Sequence, residues 1–187
     1  LYAGTVDLFG GKLTGGKVTG KGGGGAIALE NSFSTLNIYG GEMSGNNGNG
    51  KGGAIYTKSG GTINMYGGRI AKNEAYRGGG LCLTGGSTFN MYGGLLENNS
   101  STARWDTIPA NSGNLYIAGG AVMNANAGVV RGGGYAVFNL GTIQTDDANY
   151  PATKFYSGLY NMGGVVKGGM YYGSYMSAGG NLGGCEV

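Results

Sequence analysis

The chain of 187 residues has no histidine, so a histidine-based catalytic triad and an imidazole metal site are both excluded. Charge is scarce: 11% of residues are charged, and 12 basic against 9 acidic side chains leave a net +3. The lysines and arginines are scattered, which gives no basic stripe for a nucleic acid. No apolar run approaches the ~18 residues of a membrane helix, so no membrane span is expected. Proline occurs twice, as Pro109 and Pro151, and tryptophan once, as Trp105. Cysteine also occurs twice, as Cys82 and Cys185. A disulfide would need their Cα atoms within ~7 Å. The two lie far apart along the repeat described next, so two independent thiols are expected. Helical i, i+3, i+4 periodicity is missing over any three turns. The 46 glycines would each cost a helix interior about 1 kcal/mol. No cofactor motif is present. The glycine run Gly22–Gly25 lacks the strand–glycine–helix setting and the Lys-Ser/Thr of a phosphate loop.

What the chain has is a repeated phrase. It reads Thr5-Val-Asp-Leu-Phe-Gly-Gly, Thr35-Leu-Asn-Ile-Tyr-Gly-Gly, Thr62-Ile-Asn-Met-Tyr-Gly-Gly and Thr88-Phe-Asn-Met-Tyr-Gly-Gly, with starts 30, 27 and 26 residues apart. A period of this size marks stacked repeats that bury their apolar faces only against their neighbours. Within each phrase the residues alternate, as in a strand with one face buried. Val6, Leu36, Ile63 and Phe89 form one inward column, and Leu8, Ile38, Met65 and Met91 a second. The outward columns carry threonine, then Asp7, Asn37, Asn64 and Asn90, then Phe9, Tyr39, Tyr66 and Tyr92. Paired glycines follow and supply the positive φ of a sharp turn.

A second strand follows each turn, anchored by Leu13, Met43, Ile70 and Leu96, with Asn46, Asn73 and Asn99 three residues later. A third strand begins at Ile27, Ile55 and Leu81. Cys82 lies between Leu81 and Leu83 and is expected to face outward if those two face in. The architecture this predicts is all-β: a three-sided parallel β-solenoid, one domain over residues 1–187. It would have about six coils and a length of roughly 30 Å at the strand spacing. The second half is looser. The pattern places Asn126 in the tyrosine column, aligns Tyr135 with Leu115, and reads Thr142-Ile-Gln144 as an echo of the motif. A last coil reads Tyr160 to Val166, with Gly168–Tyr171 as its third strand. Loop insertions are expected near 100–112 and 146–153.

The asparagine column Asn37, Asn64, Asn90 reads first as a structural ladder, as in cross-β stacks. The column Tyr39, Tyr66, Tyr92 reads as self-packing, as a contact surface between copies of the chain, or as a platform for glycans. Asp146–Asp147 is the sole acidic pair. Neighbours in a strand point apart, so the pair suits general acid–base chemistry poorly. No catalytic residue is assigned.

The stretches Gly-Gly-Ala-Ile-Tyr (residues 52–56) and Thr-Ile-Asn-Met-Tyr-Gly-Gly-Arg-Ile-Ala-Lys-Asn (residues 62–73) resemble right-handed parallel β-helix repeats of large bacterial cell-surface proteins. The resemblance covers residues 5–99 well and the remainder loosely. It implies a pectate-lyase-like, right-handed β-helix and a surface, adhesive or scaffolding role. It carries over no catalytic residues. The expected function is an extracellular structural subunit that associates with copies of itself as an oligomer or filament. An adhesin or glycan-binding module of a longer surface protein is the alternative, and a polysaccharide-degrading enzyme a more distant one. The chain opens on Leu1 without a signal-peptide pattern, as expected of a processed chain or of a piece of a longer one.

Overall fold

The computed structural model describes residues 1–20, 22–103, 113–132, 135–146, 148–173, 175–177 and 181–182. Among these residues there is no helix, and every strand pairing is parallel. The strands stack in three long rows. The first row runs Gly4–Leu8, Ser34–Ile38, Gly61–Met65, Ser87–Glu97, Val122–Arg131, Thr142–Gln144, Val165–Val166 and Asn181–Leu182. The second runs Lys12–Thr14, Glu42–Ser44 and Arg69–Ala71, then through the C-terminal parts of Ser87–Glu97 and Val122–Arg131 to Lys154–Phe155 and Met170–Tyr171. The third, a seven-stranded sheet, holds Ile27–Leu29, Ile55–Thr57, Leu81–Leu83, Leu115–Ile117, Tyr135–Asn139, Gly158–Asn161 and Tyr175–Ser177. A short pair, Glu74–Ala75 with Ser100–Ser101, lies between the second and third rows in chain order.

The alternation of the sequence becomes the inside and outside of the stack. Leu36, Ile63 and Phe89 are fully buried, as are Met65 and Met91 one step along. They meet Met43, Ile70 and Leu96 from the second row and Ile55, Leu81, Leu115 and Val137 from the third in one continuous core. Each such side chain contributes about 1.5–3 kcal/mol by leaving water. The register is that of the repeat: Thr35 pairs with Thr62 and Thr62 with Thr88. The double glycine is required by geometry. Gly68 sits at φ +82°, and a Cβ on Gly67 would lie 2.6 Å from the Tyr39 carbonyl oxygen of the preceding turn.

The second half departs from the sequence expectation in three places. Ala127, not Asn126, pairs with Tyr92, because the Val122–Arg131 strand bulges there and folds Asn126 into the interior. Leu115 pairs with Val137 rather than Tyr135, two residues further than the spacing implied. Gly158–Asn161 belongs to the third row and Met170–Tyr171 to the second, so the last turns are shorter than a full phrase. Ser100–Ser101 still pairs in register with Glu74–Ala75, so the added segment begins later than expected. The rest of that insertion, residues 104–112 with Trp105 and Pro109, lies outside the described residues, as do Asp147 and Cys185.

Candidate functional site

Stacking identical phrases one strand spacing apart converts each sequence column into a physical column. On the outer face of the first row the rings of Phe9, Tyr39, Tyr66 and Tyr92 stack in order, with centroids 4.9, 5.0 and 5.2 Å apart and tilts of 8°, 7° and 9°. Tyr150, from the segment 146–153, closes the column at 5.2 Å with a tilt of 51°. Tyr39 and Tyr66 remain 44% exposed, but through their edges. Near-parallel stacking at this distance occupies the ring faces. An aromatic face is left open at Phe9, at the end of the column, which is 75% exposed.

Beside the rings runs an amide ladder. Asn37 Nδ2 donates to Asp7 Oδ1 (2.7 Å), Asn64 to Asn37 (2.8 Å) and Asn90 to Asn64 (2.7 Å). It continues with Asn124 to Asn90 (2.6 Å) and Gln144 to Asn124 (2.9 Å). All the amides donate in one direction, toward Asp7, whose carboxylate can only accept.

A second ladder is buried at the corner after the second row. Asn46 Nδ2 donates to Asn73 Oδ1 (2.9 Å), Asn73 to Asn99 (2.9 Å) and Asn99 to Asn114 (2.7 Å). The same Oδ1 atoms accept backbone N–H groups of the coil before: Asn46 N donates to Asn73 and Asn73 N to Asn99. The spacing of Asn46, Asn73 and Asn99 is visible in the sequence. The entry of Asn114, which follows a different segment, is not.

Charge is organised in the same axial way. Glu97, 6% exposed, accepts from Arg69 Nε (2.7 Å) and Arg131 Nε (2.8 Å), and Arg69 reaches Glu42 at 3.3 Å. The Arg131 hydrogen bond, joined by that of Arg69, holds the Glu97 carboxyl below the usual carboxylate range against the opposing effect of burial.

The third row carries an outer column of its own: Tyr56, Cys82, Tyr116, Phe138 and Tyr160 pair in sequence. Tyr116, Phe138 and Tyr160 stack at 5.3 and 5.5 Å. Cys82 is too small to continue the stack, and two cations fill the interval. Lys51 Nζ lies 5.5 Å from the Tyr56 ring centre, and the Arg77 guanidinium 5.4 Å from that of Tyr116. Cys82 therefore stands in an outward column, yet it is covered and 1% exposed. Burial pushes its thiol up to about 12, although both cations pull it down. At neutral pH it is a protonated packing group. The irregular spacing of this row hid its aromatic column from the sequence.

For the acidic pair, Asp146 is exposed and its backbone N–H donates to Asn126 Oδ1 at 3.1 Å. Among the described residues no three His, Cys, Asp or Glu side chains gather as metal ligands. Among the described residues no helix is long and apolar enough to cross a membrane. No family model matches this chain, and no curated protein or solved structure matches it.

Proposed function

We propose that the chain is a non-catalytic structural protein of the cell exterior, wound as a three-sided, right-handed parallel β-helix with one coil for each strand of the third row. In this reading it associates end to end with copies of itself. The observation that carries the reading is the state of the coil formed by Gly4–Leu8 and Lys12–Thr14. Among the described residues each of these strands pairs on one side only. Val6, in the inward column, is 39% exposed there, and Phe9 is 75% exposed. The amide ladder ends on the same coil, at the acceptor-only Asp7. Within these 187 residues, strand edges, apolar interior, ring stack and outer ladder are all unfinished at one surface, and an exposed strand edge templates pairing. A coil of this same chain can meet the strand edges and the apolar interior, because successive coils already pair in that way. Such a contact is heterologous and propagates as a filament. Low net charge leaves little repulsion against it.

Sedimentation velocity across micromolar concentrations tests the reading. Wild-type protein is expected to form species above the 18.8 kDa chain mass that grow with concentration. Phe9→Lys, which places a charge on the open ring position, is expected to return the protein to monomer. A single 18.8 kDa species for the wild type at every concentration overturns the proposal.

A further inference from the structure

We propose that the tyrosine column on the outer face of the first row is a site of oxidative coupling, in which a carbon–carbon bond joins Tyr66 to Tyr39 or to Tyr92 and so staples successive coils. The partners are already in place. Tyr39 and Tyr66 follow the paired residues Ile38 and Met65, and Tyr66 and Tyr92 follow the paired Met65 and Met91. Their ring centres lie 5.0 and 5.2 Å apart, with tilts of 7° and 9°. Rings so nearly parallel, carried at the same position of the same phrase, lie with like edges side by side. Tyr39 and Tyr66 are each 44% exposed, so a diffusible oxidant reaches them. The residues after these rings are Gly40 and Gly67, so no side chain on that flank hinders the rings from tilting toward each other.

The chemistry needs only neighbouring phenols and an oxidant. Each phenol gives up one electron and one proton and becomes a phenoxyl radical, whose unpaired electron is shared between the oxygen and the ring carbons ortho to it. Two such radicals join ortho carbon to ortho carbon, and the hydrogen on each of those carbons moves to the oxygen, which restores both phenols. The pair has then lost two electrons and two protons. A peroxide is the co-reactant that accepts them, as hydrogen peroxide does in becoming two waters. Two tyrosyl radicals free in solution must meet by diffusion, whereas neighbours in the column are held together, which raises their effective concentration. The third row supplies the contrast. In its stack Phe138 stands between Tyr116 and Tyr160, so no two tyrosines are adjacent there. Phe9 ends the first-row stack in the same way. Tyr66 has a tyrosine ring stacked on each side, which makes it the common member of both links.

The column runs along the side of the stack, so this inference stands or falls apart from end-to-end association. Treatment of the full chain with hydrogen peroxide and a haem peroxidase, followed by trypsin and mass spectrometry, tests it. Lys51 and Lys58 separate Tyr39 from Tyr66, and Arg69, Lys72 and Arg77 separate Tyr66 from Tyr92, so each tyrosine falls on its own peptide. The Tyr66 peptide is expected to appear joined to the Tyr39 or the Tyr92 peptide with the loss of two hydrogens. In a mixture of isotopically light and heavy chains, the joined peptides are expected to be all light or all heavy, as links within one chain require. Tyr66→Phe keeps a ring in the stack, as Phe9 does, and is expected to abolish both links without creating one between Tyr39 and Tyr92, which lie two coils apart. Wild-type protein unfolded in urea before oxidation is expected to lose the preference for these pairs. Four results overturn the proposal: no Tyr66 link in the folded protein, the same distribution of links in folded and unfolded protein, Tyr66 links only between light and heavy chains, or a Tyr39–Tyr92 link in Tyr66→Phe as abundant as the wild-type links.

Discussion

Two asparagine columns carry the same residue type and do different work. Asn73 lies in the buried ladder. The two N–H groups of its Nδ2 are shared among Asn99 Oδ1, the Met43 carbonyl and the Ala71 carbonyl, and its Oδ1 accepts from Asn46. Asn64, on the outer face, donates to Asn37 and accepts from Asn90 with solvent at hand. Removing one partner of a buried polar group costs about 1–3 kcal/mol for each group left unsatisfied, so Asn73→Ala is expected to cost more than 3 kcal/mol and Asn64→Ala about 1. Urea denaturation of both variants checks this, and equal losses would contradict it. Glu97 makes a pH prediction. Its carboxyl is held below the ordinary value, first by the Arg131 hydrogen bond. Its contribution to stability is therefore present above the unfolded value of ~4.3 and is lost as pH falls through the lower folded value. The melting-temperature gap between wild type and Glu97→Gln is expected to be widest near neutral pH and to close in acid. A gap that stays constant from neutral to strongly acidic pH would contradict the assignment.

At the scale of the strand, one residue of sequence separates inside from outside. Ile63 is fully buried while its neighbour Thr62 lies on the outer face. Ile63→Asp places a charge in a narrow apolar core without a partner, at a cost of several kcal/mol. Thr62→Asp is expected to change stability by less than about 1 kcal/mol. Comparable melting temperatures for the two variants would mean that the faces are reversed. The sequence made this element legible because the four phrases keep both their alternation and their spacing, and stacking turns equal spacing into contact. The rings of Tyr39, Tyr66 and Tyr92 and the amides of Asn37, Asn64 and Asn90 were readable for that reason. Past Tyr92 the signal fails for local causes. Asn126 bulges inward, so Ala127 takes the place opposite Tyr92, and the register returns only at Val129 opposite Leu95. Leu115 and Val137 pair across a spacing that no earlier coil uses. Lys51 and Arg77 were unreadable as a pair because they sit in turns of different length, and only the bridge between them brings them together.

At the scale of the molecule, the rows behave as one-dimensional stacks in which each coil stabilises its neighbours. The ring column, both amide ladders and the Glu42–Arg69–Glu97–Arg131 chain all run along the same axis. Side chains therefore reinforce the backbone ladders in the direction in which a further coil would add. The coil of Gly4–Leu8 presents the ring column and the outer amide ladder in unfinished form, and the proposed axial association rests on that surface. Electron microscopy of the full chain at micromolar concentration tests this central claim most directly. Among the described residues the first row holds eight strands, which at the strand spacing span about 35–40 Å for one molecule. The account predicts rods of uniform width and of lengths that are multiples of this unit, shortened to the unit length by Phe9→Lys. Uniform particles of the single-unit length for the wild-type protein would contradict it.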